Sequence, residues 1–349
     1  MRGFRFVLAA LILLSVGAYF RPAPAQQAAP TAVGAAGRFM AHAGPGPLTV
    51  ETLLGEWTDN ARQRTIPFKA YYPTDGVPPF PVIVFSHGLG GSREGYEFQG
   101  RHWASHGYVS VHLQHPGSDD SVWRDVPPAQ RIEAMREALK DLRAAVDRPL
   151  DVRFAIDQLT AMSTGEGPLA GKLDLAHIGI AGHSFGAWTA QIVAGQLAIT
   201  PQQELSLADP RVSAAVFESP NHTNRVRDPE RAYGTVRIPC LHLTGTEDHS
   251  PFEGLTRADE RVVPFGYMDG SDQYLCVFEG GDHMVFSGRI APRPRPKDER
   301  FQSLIKAMTL AFFDAYLKGD EEARAMLSGD AIPTELGADG RFTAKPRPK

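Results

Sequence analysis

Ser184 stands at the centre of Gly182-His183-Ser184-Phe185-Gly186, between the apolar run His177-Ile178-Gly179-Ile180-Ala181 and a helix-like run that begins Ala187-Trp188-Thr189-Ala190. A strand, a sharp turn and a helix would hold the hydroxyl exposed at the tip of the turn. Glycine on both flanks leaves room for the bend and for close strand-helix packing. A serine hydroxyl is a weak nucleophile near neutral pH. It needs a base within hydrogen-bond reach, and the base needs an acid to fix its tautomer. The base candidate is His283, which follows the strand-like Tyr274 to Phe278 through Glu279-Gly280-Gly281-Asp282. The acid candidate is Asp248, which follows Cys240 to Leu243 through Thr244-Gly245-Thr246-Glu247. Serine, acid and histidine occur in that order, each just beyond a strand-like segment. Two rivals to Asp248 remain open: its neighbour Glu247, and Glu218 just past the strand-like Val212 to Phe217.

Attack by a serine on a carbonyl creates an oxyanion, which needs two preorganised N–H donors. Phe185, the residue after the nucleophile, supplies one candidate. The loop Ser86-His87-Gly88-Leu89-Gly90-Gly91-Ser92-Arg93 supplies the other, with Leu89 N–H the expected donor. No Gly-Lys-Ser/Thr follows this loop, so it does not read as a phosphate cradle. His102 and His106 have a zinc-compatible spacing, but no Glu lies between them and no third ligand is evident. They read as a surface or half-buried pair. His112 to Asp120 ends a strand on the same side and either shapes the pocket or holds a loop. Trp123, Met135, Leu139 and Leu142 suit an apolar acyl site, and helix burial explains the last three equally well.

These residues need a scaffold. Strand-like segments occur at Thr49 to Trp57, Arg64 to Tyr72, Pro81 to Ser86 and Tyr108 to Leu113, then before Ser184, Glu218, Asp248 and His283. Pro81 to Ser86 is almost wholly apolar, as a strand covered on both faces should be. Helical patterns fall at Tyr96 to His106, at Val126 to Val146 with Ile132, Met135, Leu139, Leu142 and Val146 on one face, at Asp151 to Met162, and at Phe301 to Leu317. Strands alternating with helices predict an α/β fold with a mostly parallel sheet covered on both faces. Such a sheet carries its chemistry at the carboxyl ends of its strands.

The chain has 349 residues, 42% hydrophobic and 22% charged, the balance of a globular protein. A net charge of −4 gives no reason to expect nucleic acid or an anionic membrane as partner. Arg2 and Arg5, the apolar run Phe6 to Phe20 and the small residues Ala23 and Ala25 read as a secretory signal over residues 1–25, so the protein is expected to be secreted or periplasmic, with no membrane span after cleavage. Residues 26–47 read as an Ala/Gly/Pro-rich linker, 48–333 as the catalytic domain and 334–349 as a flexible tail. The two cysteines, Cys240 and Cys276, form either a disulfide or, the preferred reading, two buried thiols.

The motifs together resemble those of the α/β-hydrolase superfamily, and more closely the bacterial relatives of the plasma-type platelet-activating-factor acetylhydrolases, the predicted dienelactone hydrolases. Phe85-Ser86-His87-Gly88-Leu89-Gly90 is similar to that family's oxyanion loop, Ala104-Ser105-His106-Gly107-Tyr108 to the helix end that follows, and Gly182 to Gly186 to its nucleophile turn. The resemblance covers about Leu48 to Lys318. It implies the α/β-hydrolase fold and a serine esterase with triad Ser184, Asp248 and His283, an oxyanion hole from Leu89 and Phe185 N–H, no metal and no organic cofactor. In the animal relatives the acid follows the strand that here ends at Glu218. Dienelactone hydrolases themselves carry Cys where Ser184 stands, so their activity is not implied. The expected substrate is a small-molecule or lipid ester, phospholipid acetyl esters among them. Polyester, thioester and amide cleavage are the alternatives within the class, and a catalytically silent exported binding module is the alternative outside it.

Overall fold

The computed structural model describes residues 34–199, 204–222, 226–252, 256–288 and 295–347. The expected signal segment lies outside the described residues. The strands are β1 (Val50–Asp59), β2 (Arg64–Pro73), β3 (Phe80–Ser86), β4 (Val109–Leu113), β5 (Leu173–His183), the short hairpin pair β6 (Ala198–Ile199) and β7 (Glu204–Leu205), then β8 (Val212–Glu218), β9 (Cys240–Glu247), β10 (Gln273–Asp282) and β11 (Gly340–Lys345). The helices are α1 (Ala35–Ala41), α2 (Glu97–Ser105), α3 (Ser121–Arg124), α4 (Arg131–Ala138), α5 (Leu142–Thr164), α6 (Phe185–Ala194), α7 (Pro229–Tyr233), α8 (Val263–Tyr267), α9 (Asp298–Leu317), α10 (Glu321–Ser328) and α11 (Ala331–Leu336).

Among the described residues nine strands form one sheet in the order β1-β2-β4-β3-β5-β8-β9-β10-β11. The strands from β4 through β10 in that order pair parallel, while β1, β2 and β11 add antiparallel edges. β3 is buried along its whole length, as its continuous apolar run requires. One face of the sheet packs Phe85, Val216, Leu243 and Phe278 against Trp103 of α2 and Leu304, Met308 and Phe312 of α9. The other packs Val84, Ile180 and Phe217 against Val152, Ile156 and Leu159 of α5 and Ala187 and Ala190 of α6. This is the α/β-hydrolase architecture. Ser184, Glu218, Asp248 and His283 all fall at the carboxyl ends of parallel strands, so the topology itself brings them to one edge.

Three expectations are corrected. The helix expected over Val126 to Val146 is broken: α4 ends at Ala138 and α5 begins at Leu142, because Asp141 caps the new helix by accepting from Arg143 N and Ala144 N. Its supposed core face is largely open, with Ile132 49% and Leu142 65% exposed. The linker is not loose from residue 34 onward, since Phe39 of α1 is fully buried against the core that α9 covers. The tail is not loose either. β11 pairs with β10, placing Phe342 opposite Cys276 and stacking it on Tyr274 at 6.1 Å.

Cys240 and Cys276 are both free and buried. They belong to the cores on opposite faces of the sheet, so their side chains point apart and cannot be bridged. Among the described residues no helix is long and apolar enough to cross a membrane.

Deleting residues 340–349 would expose the β10 edge and the Tyr274 ring. The expected result is a melting temperature lowered by about 5 °C with the secondary structure otherwise retained. An unchanged melt would contradict the account of β11 as part of the sheet.

Candidate active site

β5 runs straight into α6, and the whole reversal of direction falls on Ser184. Its backbone lies at φ 57°, ψ −116°, a region that non-glycine residues rarely enter. Three contacts hold it there. Ser184 N donates to Glu218 O at 2.9 Å, Asn221 Nδ2 donates to Ser184 O at 2.5 Å, and Gly186 sits directly on the Ser86 backbone. A Cβ on Gly186 would fall on the Ser86 carbonyl, so the flanking glycine is a steric necessity of this turn.

The structure brings the three expected side chains together. His283 Nε2 lies 3.0 Å from Ser184 Oγ, and His283 Nδ1 lies 2.7 Å from Asp248 Oδ1. Asp248 Oδ2 accepts from Thr244 Oγ1 at 2.8 Å. Asp248 is fully buried and Ser184 is partly open. A carboxylate on Nδ1 fixes the N–H there and leaves Nε2 free to accept the serine proton.

Glu247, the first rival, points away into an ion pair with Arg295. Glu218, the second, is buried on the α9 side of the sheet, and its carboxyl oxygens have no hydrogen-bond partner among the described residues. Burial pushes its pKa up to about 8; Gln99 lies close enough to pull it down somewhat without reaching hydrogen-bonding geometry. Its backbone carbonyl still serves the site by holding Ser184 N.

Several contributors carry no local sequence signal. Arg261, also buried, touches Asp248 twice, with Nε 3.3 Å from Oδ1 and 3.1 Å from the backbone oxygen. Burial alone would raise the Asp248 pKa; the Arg261 charge and the His283 hydrogen bond outweigh it and keep the carboxylate below its usual range. Arg261 Nη2 also approaches His283 Nδ1 at 3.3 Å. Because the Nδ1 proton faces Asp248, this is a close approach of a cation and not a hydrogen bond. Arg261 Nη1 donates to Ser219 O at 3.0 Å and to Asn221 Oδ1 at 2.8 Å, which fixes the amide that holds Ser184.

His183, named with the pentapeptide but given no role, bridges two loops. Its Nε2–H donates to His283 O at 2.9 Å, and its Nδ1 accepts from Tyr96 OH at 2.8 Å. Burial, then the neighbouring His283, hold its pKa well below the usual histidine value, so it stays neutral and keeps this tautomer.

As the first residue of α6, Phe185 has an N–H with no intrahelical acceptor. Leu89 N–H donates to no acceptor among the described residues. Gly90, at φ 70°, lies under Trp123 and Met135. Trp123 Nε1 donates to Gly90 O at 2.7 Å, so these two of the expected acyl-site residues roof the loop that carries Leu89. Leu142 does not join them. His102 and His106 pack together, with His106 Nδ1 on His102 O at 2.9 Å.

The fold and this strand-turn-helix serine define an α/β-hydrolase. Within that class, residues 48–126 match the family model of platelet-activating factor acetylhydrolase, isoform II, a span that includes the loop bearing Leu89 but stops short of Ser184. The chain is also similar to a platelet-activating factor acetylhydrolase of Cavia porcellus, with 29% identity over 317 residues. That match covers 76% of this chain and 64% of the relative, just under two thirds of its length. The fold is that of an α/β-hydrolase, and both likenesses are to platelet-activating factor acetylhydrolases.

The folded-state pKa of Glu218 lies above its unfolded value, so between about 4.5 and about 8 the folded state keeps a proton that the unfolded chain has released. Stability contributed at this position is present below that window and is lost as pH rises through it. Glu218→Gln should therefore melt above wild type by a margin that widens from pH 5 to pH 8. A margin independent of pH, measured by calorimetry, would contradict a neutral buried carboxyl.

Proposed function

We propose that this protein is an exported serine hydrolase that cleaves carboxylic esters through an acyl-enzyme. The observation that carries the proposal is the continuous line of contacts Asp248 Oδ1, His283 Nδ1, His283 Nε2, Ser184 Oγ, at 2.7 and 3.0 Å. Ser184 Oγ attacks the ester carbonyl while its proton passes to His283 Nε2. The carbonyl oxygen becomes an anion between Leu89 N–H and Phe185 N–H. Collapse of the tetrahedral intermediate expels the alcohol, which takes the proton from His283. A water then gives its proton to His283 and attacks the acyl carbon, and His283 returns that proton to Ser184 Oγ as the carboxylic acid leaves. Asp248 orients the imidazole and stabilises its cation.

The substrate class proposed is a short-acyl ester, with acetyl esters of phospholipids foremost. The likeness to acetylhydrolases supports this. The basic, apolar and small-residue pattern of residues 1–25 supports export.

Full-length protein should hydrolyse p-nitrophenyl acetate faster than longer acyl esters, and the exported form should begin at Gln26 by mass spectrometry. Ser184→Ala should abolish turnover. Asp248→Asn should lower kcat by roughly 10⁴, and Glu218→Gln by less than about threefold, since that carboxyl touches no reacting group. Loss of kcat in Glu218→Gln alone would transfer the acid's role to that residue. Absence of any Ser184-dependent ester turnover by folded protein would overturn the proposal and favour a silent binding module.

A further inference from the structure

Arg148 is fully buried in α5, and among the described residues no carboxylate forms an ion pair with it. Asp151, three residues on, is taken up by Arg62, Arg64 and His115. Burial pulls the Arg148 pKa down to about 9, with Asp151 opposing, so the side chain remains a cation at neutral pH. Its contacts are all with neutral groups. Nη2 meets the His87 carbonyl, and Ser86 Oγ at 3.1 Å. Nη1 donates to Ser118 Oγ at 2.9 Å, and Nε donates to Thr189 Oγ1 at 2.9 Å. The guanidinium carbon lies 4.5 Å from the centre of the Phe185 ring. A buried cation without a contacting counter-ion is costly, and such a group needs a reason to persist.

The contacts share one destination. The His87 carbonyl and the Gly88 N–H are two edges of a single peptide unit; Arg148 holds the oxygen and Tyr96 OH accepts from the N–H at 3.3 Å. In the next unit, Gly88 O accepts from Gly91 N at 3.0 Å and from His87 Nδ1 at 2.6 Å, which leaves the opposite edge, Leu89 N–H, free to donate. Ser118, held by Arg148 through its hydroxyl, accepts from Gly90 N through its carbonyl at 2.9 Å. Thr189 Oγ1, which accepts from Arg148, donates to Phe185 O at 2.9 Å. One guanidinium is thus wired to the residues on either side of Leu89 and to Phe185.

We infer that Arg148 is a positioning residue for the oxyanion hole: it sets the Leu89 and Phe185 N–H groups relative to each other and adds a fixed positive field behind them. This rests on the ester-hydrolase reading above. A lysine would keep the charge but could not span Thr189 and His87 at once, because it lacks the planar fork.

The test compares full-length wild type, Arg148→Lys, Arg148→Met and Thr189→Val, each checked for folding by circular dichroism. For each, kcat and KM are measured with p-nitrophenyl acetate, and Ki with an alkyl trifluoromethyl ketone. Ser184 Oγ bonds to the ketone carbon, its proton goes to His283 Nε2, and the ketone oxygen becomes the bound anion. Arg148→Met should lose about 10² in kcat with KM within about threefold, and Arg148→Lys should recover only part of that loss. Ki should rise by the factor by which kcat/KM falls. Thr189→Val, which cuts the tie to Phe185 alone, should show the same pattern at about tenfold, and it decides the matter if the Arg148 variants do not fold. Folded variants with kcat near wild type, or a fall in kcat with Ki unmoved, would overturn the inference. If wild type itself lacks Ser184-dependent turnover, the ester-hydrolase reading fails first and this inference falls with it.

Discussion

The molecule is organised around one strained residue. Ser184 at φ 57° faces a cost on the order of 1–3 kcal/mol, and the surrounding contacts exist to make that conformation the only one available. The Ser184 N–H is tied to β8 through Glu218 O, its carbonyl is tied to Asn221, and Gly186 is pressed on Ser86. Neighbouring parallel strands therefore define the turn, and their order in the sheet determines which loops can reach it. β8 and β9 lie next to β5 in succession, and β10 follows, so the acid and the histidine arrive from the side opposite the Leu89 loop on β3. The placing of Ser184 between His283 and the Leu89 loop is a consequence of strand order.

The electrostatics beneath this edge separate into groups kept charged and groups kept neutral. Asp248 stays ionised because Arg261 and His283 face it. Arg148 stays cationic among neutral acceptors. His87, His183 and Glu218 are buried and held neutral, the histidines with pKa values pushed down and the carboxyl with its pKa pushed up, each chiefly by burial. The neutral histidines have defined tautomers, since each donates with one nitrogen and accepts with the other. Directional bonds of this kind hold loops without placing further charge next to the reacting atoms.

Residues whose identity follows from local chain geometry could be read in the sequence. The serine turn needs glycines, and the acid and histidine follow strands rich in apolar residues, so their places were legible. The alternating strands and helices also revealed the sheet. Contributors that act across space were not legible. Arg148, Arg261 and Tyr96 lie 36, 77 and 88 residues from Ser184 by their numbering, and nothing in their neighbours marks them. The break before α5 depended on a single capping aspartate within a helix-like run. β11 is not legible because an edge strand exposed on one side carries Arg341, Thr343 and Lys345, which look like solvent-facing tail. α1 was hidden by its Ala/Gly-rich surroundings, although Phe39 and Met40 were the apolar signal within them.

The most direct measurement is a crystal structure of the protein after reaction with an alkyl fluorophosphonate, whose tetrahedral phosphorus imitates the reacting carbon. The account predicts phosphorus bonded to Ser184 Oγ, the phosphoryl oxygen within hydrogen-bond reach of both Leu89 N and Phe185 N, and His283 still joined to Asp248. Phosphorus on another residue, or a phosphoryl oxygen turned to solvent with both amides empty, would contradict it.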